Sequence, residues 1–248
     1  MEQWVVSPTM PELPAATLAV WRELPLRTPS ATFRLLQGQD DDPPVYFDVA
    51  TLDDVEGRIR HLVEDDGPFA PWAHYGGFFI EADGVTIAAD DATDLVDEIG
   101  MHQSWTRAAI ALLDGSPRET VWAWEESAMT VDRIDEDTVV LLDQVPCGAM
   151  ILVVCPPVRF LLRAFSEALL AAVHPFVQLV TAVNRVLDNL DPTRHFSPSV
   201  ASCPRLEGMN DEDFRRGLRI RELRGCLSLS WVEDANRLTQ LLASTSRP

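Results

Sequence analysis

No lysine occurs anywhere in the 248 residues; all 20 basic side chains are arginine. That absence excludes a P-loop lysine, a Schiff-base lysine, a kinase-type phosphate clamp, a Ser-Lys dyad and nuclease centres that set a lysine beside paired carboxylates. Among the 12 glycines no two are spaced as GxG, and GxSxG does not occur, so a dinucleotide loop and a nucleophile elbow are missing as well. The four cysteines (Cys147, Cys155, Cys203 and Cys226) show no CxxC spacing. They read as reduced core thiols, not as a disulfide framework or a zinc site. His61, His74, His102, His174 and His195 include no HxH, HxxxH or HExxH pair, so no metal centre is expected. No cofactor is expected either.

Long apolar runs are also few. The longest charge-free stretch, residues 168–184, is at the short limit for a membrane span and contains His174 and Pro175. The first 14 residues have no basic region leading into an apolar run. A cytoplasmic protein with no membrane span is the expectation. Neither a repeat of fixed period nor a low-complexity tract is present.

What the chain does have is acidity, unevenly placed. Residues 40–143 hold 26 acidic side chains against five arginines, a net −21, whereas residues 1–39 sum to zero and residues 144–248 to +2. A field of that sign repels nucleic acid and anionic membrane, and steers basic proteins inward. A solubilising surface has the same composition.

Residues 1–155 carry most of the strand patterns. A hairpin is expected over 31–49, with Asp40, Asp41 and Asp42 in its turn, and another over 78–89 around Asp83-Gly84. A helix from Thr51 to about Glu64 separates them, followed by an aromatic loop over 65–77 that starts at Asp65 and Asp66. A second helix is expected over 91–113. Strands 120–125, 128–134 and 138–143 then form a meander, and alternation puts Trp122 and Trp124 on one face. Ala149 to Cys155 reads as a buried strand closed by Pro156-Pro157. From Val158 to Leu190 the polar residues Arg159, Arg163, Glu167, His174, Gln178, Thr181, Arg185 and Asp188 draw one narrow helical stripe. Pro175 should kink or break that helix. A proline- and serine-rich loop over 192–210 and helices from Asp211 and Ser230 complete the chain.

This order predicts an α+β fold: an antiparallel sheet or meander over about residues 31–155, packed by helices, then an all-helical part over 156–248. One compact domain is expected, with those two parts as its only subdivision.

No catalytic set emerges. His74 is the best candidate for an acid or base, and Glu125-Glu126 beside the tryptophans are the best candidate carboxylates. An enzyme reading needs them to converge in space, and neighbours on a strand point to opposite faces. The five arginines between 215 and 224 stand among Asp211, Glu212, Asp213 and Glu222, so that helix reads as ion-paired and not as a nucleic-acid contact. A third reading is a structural subunit that forms a homo-oligomer through helix 158–190. The leading expectation is a non-enzymatic protein-binding module, of the kind found as immunity or accessory proteins of bacterial conflict systems. It would engage a basic protein through Asp40, Asp41, Asp42, Asp65, Asp66, Trp122, Trp124, Glu125 and Glu126.

Overall fold

A computed structural model describes residues 13–37, 45–48, 54, 57, 59–60, 63, 75–89, 93–94, 104–124, 127–147, 150–190 and 209–244. The fold is α+β, as the order of patterns predicts, but its strands divide into two antiparallel sheets.

The first sheet is built by β1 (Pro29–Gln37), β2 (Val45–Asp48), β3 (Tyr75–Ala82), β4 (Val85–Ala89) and β5 (Thr93–Asp94). Its order is β2-β1-β3-β4, with β5 also pairing β3. Both predicted hairpins form. In the β3–β4 turn, Asp83 has φ 52° and Gly84 φ 81°. That pair of positive values is the type I′ geometry that Asp-Gly favours between twisted strands.

A helical segment runs through Gly57, Ile59, Arg60 and Val63. Asp54 lies ahead of it at φ 46° instead of in its first turn, and its Oδ1 accepts the Gly57 N–H at 3.1 Å. The helix expected over 91–113 is shorter. Thr93 and Asp94 pair with Gly76 and Tyr75, extending the β3 edge that β4 occupies further along. The helix, α2 (Ser104–Leu113), begins ten residues later. Backbone pairing at a free strand edge outweighs a helical period that Gly100 already weakens.

The second sheet is a meander of β6 (Arg118–Trp124), β7 (Ser127–Arg133), β8 (Thr138–Cys147) and β9 (Met150–Leu161) in that order. Pro156-Pro157 does not close β9. The strand continues to Leu161, and its register against β8 shifts between Cys155 and Val158. Proline lacks the N–H a ladder needs, so it survives at a bulge on an outer strand, and β9 is one.

Helix α3 (Leu162–Leu190) consequently starts four residues later than its pattern suggested, leaving Arg159 on the sheet. It runs as one element of 29 residues across Pro175, about 43 Å at 1.5 Å per residue. The missing N–H at Pro175 would have bonded the carbonyl of Ala171, which lies on the exposed side. Water can satisfy that carbonyl, so the proline does not break the helix. Arg163, Glu167, His174, Gln178, Thr181, Arg185 and Asp188 form the exposed stripe, as predicted. Its remaining residues are mostly buried. Helices α4 (Asp211–Cys226) and α5 (Ser230–Ser244) follow, with Asn210 capping α4 by accepting the Asp213 N–H at 2.7 Å.

The main core lies between the sheets and these helices and draws on both halves of the chain. Phe33 of β1 meets Phe176 of α3 at 4.7 Å between ring centroids, and Phe176 meets Trp231 of α5 at 5.0 Å. Phe165 stacks on Phe160 of β9 and lies 6.3 Å from Trp105 of α2. Val121, Met129, Val131, Val139 and Leu141 present one face of the second sheet to this core. On the opposite face, Ile134, Val140 and Leu142 form a small separate core with Trp21 of α1 (Ala15–Arg22).

Helix α3 is long and apolar enough to cross a membrane by length and composition. Here its apolar face is the centre of the main core, packed against β1, α2 and α5.

Candidate functional site

Asp40, Asp41, Asp42, Asp65, Asp66, His74, Glu125 and Glu126 lie outside the described residues. The structure therefore neither brings them together nor separates them. Trp122 and Trp124 are placed by backbone only, on β6 opposite Met129 and Ser127. A register shift between Thr120 and Trp122 precedes them, so they sit just past a bulge on an outer strand of the second sheet.

What the structure does describe is how several acids of segment 40–143 are held. Some are committed to internal partners. Asp83 sits in the β3–β4 turn, where Thr28 N–H and Arg27 Nη1 each reach its carboxylate at 2.9 Å. Those bonds hold its carboxyl below the usual range. Asp114, just past α2, meets Arg237 of α5 at 2.6 Å, while Arg107 of α2 meets Asp234 of α5 at 2.9 Å. This reciprocal pair of ion pairs ties the two helices together.

Among the described residues the deepest acid is Asp132 on β7. It is fully buried and faces Arg118, its cross-strand partner on β6, whose Nε donates to Oδ1. Thr130 Oγ1 donates to Oδ2 at 3.1 Å. Burial pushes the Asp132 carboxyl upward despite the nearby guanidinium and the Thr130 hydroxyl. The composition count conceals this pair. The sequence pattern does not reveal it, because a register shift between Thr120 and Trp122 decides which residue of β7 stands opposite Arg118.

The β7–β8 turn is different. Asp135, Glu136 and Asp137 are exposed in succession, and the turn under them is fixed by backbone groups. Arg133 spends its guanidinium on carbonyls, donating Nε to Asp135 O at 3.2 Å, Nη2 to Glu136 O at 3.0 Å and Nη1 to Leu112 O at 3.2 Å. Asp137 N–H donates to Asp135 Oδ1 at 3.0 Å, and Leu162 N–H donates to Asp137 O at 2.8 Å. Burial acts to raise the Asp135 carboxyl. Bonds from Thr138 and Asp137, with Arg159 nearby, outweigh it and leave the group lowered. Glu136 and Asp137 have no ion pair among the described residues. The turn thus presents preordered negative charge at Glu136 and Asp137, while Asp135 lies 3.8 Å from the Arg159 guanidinium.

Cys155 is buried on β9 opposite Asp143, and burial together with that carboxylate raises its thiol to about 11. At neutral pH it is a protonated core thiol. Among the described residues no three His, Cys, Asp or Glu side chains are grouped to hold a metal ion.

Sequence reasoning also missed Asn184 and Ser166, polar residues off the exposed stripe of α3. Ser166 Oγ donates to Leu162 O at 2.8 Å. Asn184 Nδ2 donates to Val180 O at 2.9 Å and to Leu227 O, just past α4, at 2.8 Å. Both are structural fasteners. No protein-family model, curated protein or solved structure matches this chain, so its surface has to be argued from its own chemistry.

Proposed function

We propose that the chain is a non-enzymatic, cytoplasmic protein-binding module that captures a basic protein through the acidic surface of residues 40–143. A protein of this kind fits an immunity or accessory role in a bacterial conflict system, where a basic toxin has to be met quickly and covered. The observation that carries the reading is the concentration of charge: a net −21 over that segment against +2 over the residues that follow it. The described cations inside the segment add weight. Arg118 pairs with the buried Asp132 and Arg107 with Asp234, while Arg133 bonds carbonyls of the 135–137 turn; Glu136 and Asp137 have no ion pair among the described residues. Electrostatic complementarity of this sort raises association rates and discriminates among partners more than it adds contact energy.

The test is capture from a native lysate with a salt step, comparing the wild type with a variant carrying Asp40, Asp41 and Asp42 to Arg and a second carrying Glu136→Arg and Asp137→Arg. A basic protein held at low salt, released at moderate salt and lost from either variant is the expected result. Capture that is indifferent to salt and to both charge reversals overturns the proposal.

A further inference from the structure

We propose that α1 and the small core beneath it form a strap that opens as a unit, with the main core intact, and uncovers the outer face of the second sheet. Helix α1 is eight residues long, and Pro14 at its N-cap supplies no side-chain acceptor. A helix this short does not persist in water unless it is packed. Among the described residues its packing is confined to Trp21, Ile134, Val140 and Leu142, with Leu13, Leu18, Val20 and Leu24 at the margin, and the sheet separates this cluster from the main core.

Three hydrogen bonds from two arginines fasten its C-terminal end. Arg159 Nη1 donates to the carbonyls of Arg22 and Leu24, which the helix end leaves without partners, and Arg22 Nη2 donates to Ile134 O at 3.2 Å. Beyond Pro25 the chain is anchored independently. Arg27 N–H donates to Arg159 O at 2.9 Å, and Arg27 and Thr28 both hold Asp83. The hinge therefore falls at Pro25, between a lightly held helix and a firmly held strand.

The face under the strap is not uniformly apolar. By strand register, Arg118, Asp132, Val140 and Arg159 form one cross-strand row, and Thr130 and Leu142 occupy the next. Water admitted at Val140 reaches a row that already holds a buried ion pair. Rehydrating those charges offsets part of the apolar area lost on opening. Local opening of this kind needs only the contacts of one small cluster to break.

Native-state hydrogen exchange on the full chain, over a series of low urea concentrations, tests the strap. Amides of Leu18 to Leu24 should be protected at least about ten-fold less than those of Val139 and Leu141 on β8, with a weaker urea dependence. Arg159→Met should lower protection in α1 by about a further ten-fold and leave Phe78 and Ile80 on β3 unchanged. If α1 amides share the protection and urea slope of β8, or if Arg159→Met lowers protection equally throughout, the strap does not exist as a unit. The wild-type exchange alone decides the matter should the variant fold poorly.

Discussion

Removing one half of the buried Arg118–Asp132 pair should cost far more than replacing both halves. The Asp132 side chain is 1% exposed and that of Arg118 10%, so solvent screens the pair little. Asp132→Leu leaves a guanidinium in the interior without its carboxylate. Arg118→Met leaves a buried carboxylate with the Thr130 hydroxyl but without its cation. Breaking a buried pair from one side costs about 3–5 kcal/mol, whereas apolar replacement of both partners is often neutral or better. We expect the low end, about 3 kcal/mol for each single variant, because Thr130 and the strand edges supply alternative hydrogen bonds. In a chain of this length 1 kcal/mol moves Tm by about 2–4 °C, so each single variant should melt about 6–12 °C below the wild type. Arg118→Met combined with Asp132→Leu should melt within about 4 °C of it. Urea titrations and thermal melts of all four proteins at neutral pH complete the cycle. Additive losses in the double variant would refute the reasoning, because they would mean that the two charges are not one energetic unit.

The same residue sets a pH dependence. Burial raises the Asp132 carboxyl above 3.8 in the folded chain, so the native state keeps that proton to higher pH than the unfolded state does. Its contribution therefore lowers stability as pH rises from 3.8 to the folded value and is constant above it. Compared with Asp132→Asn, the wild type should lose stability across that window, and parallel stability–pH curves would contradict the assignment. Gly84→Ala meets no atom within 4 Å, so its cost of about 1–2 kcal/mol should come from the positive φ alone and appear in urea melts. Asn184→Ala removes the donor to Leu227 O and should cost about 1–3 kcal/mol, read from the same melts. Exchanging charges as Arg107→Asp with Asp234→Arg acts on a pair whose side chains are 48% and 21% exposed and should change stability by no more than about 1 kcal/mol; a larger loss would show that the α2–α5 pairing is not a surface contact.

Much of this architecture could be read from local chemistry. Asp83-Gly84 fixes a turn because few residue pairs accept two successive positive φ values at low cost. The exposed stripe of α3 follows from a 3.6-residue period; of the five residues that period turns inward on α5, Trp231, Ala235, Leu238 and Leu242 are buried and Leu241 is partly buried. Interactions of this kind are decided within a few residues, so a linear pattern records them.

The misreadings share one cause. Thr93-Asp94 reads as helix until the edge of β3 stands beside it, and Pro156-Pro157 reads as a stop until β9 proves to be an outer strand. Arg118 and Asp132 enter a charge count as separate ions; cross-strand register makes them one buried pair. By itself the sequence determined most element types, the exposed face of α3, the Asp83-Gly84 turn and the place of the acidity. Only tertiary structure decided that there are two sheets, that α1 lies apart from the main core, and which charges are withdrawn from the surface. Those outcomes depend on which backbone edges and side chains meet across tens of residues, and the local alternation of apolar and polar residues carries no record of that.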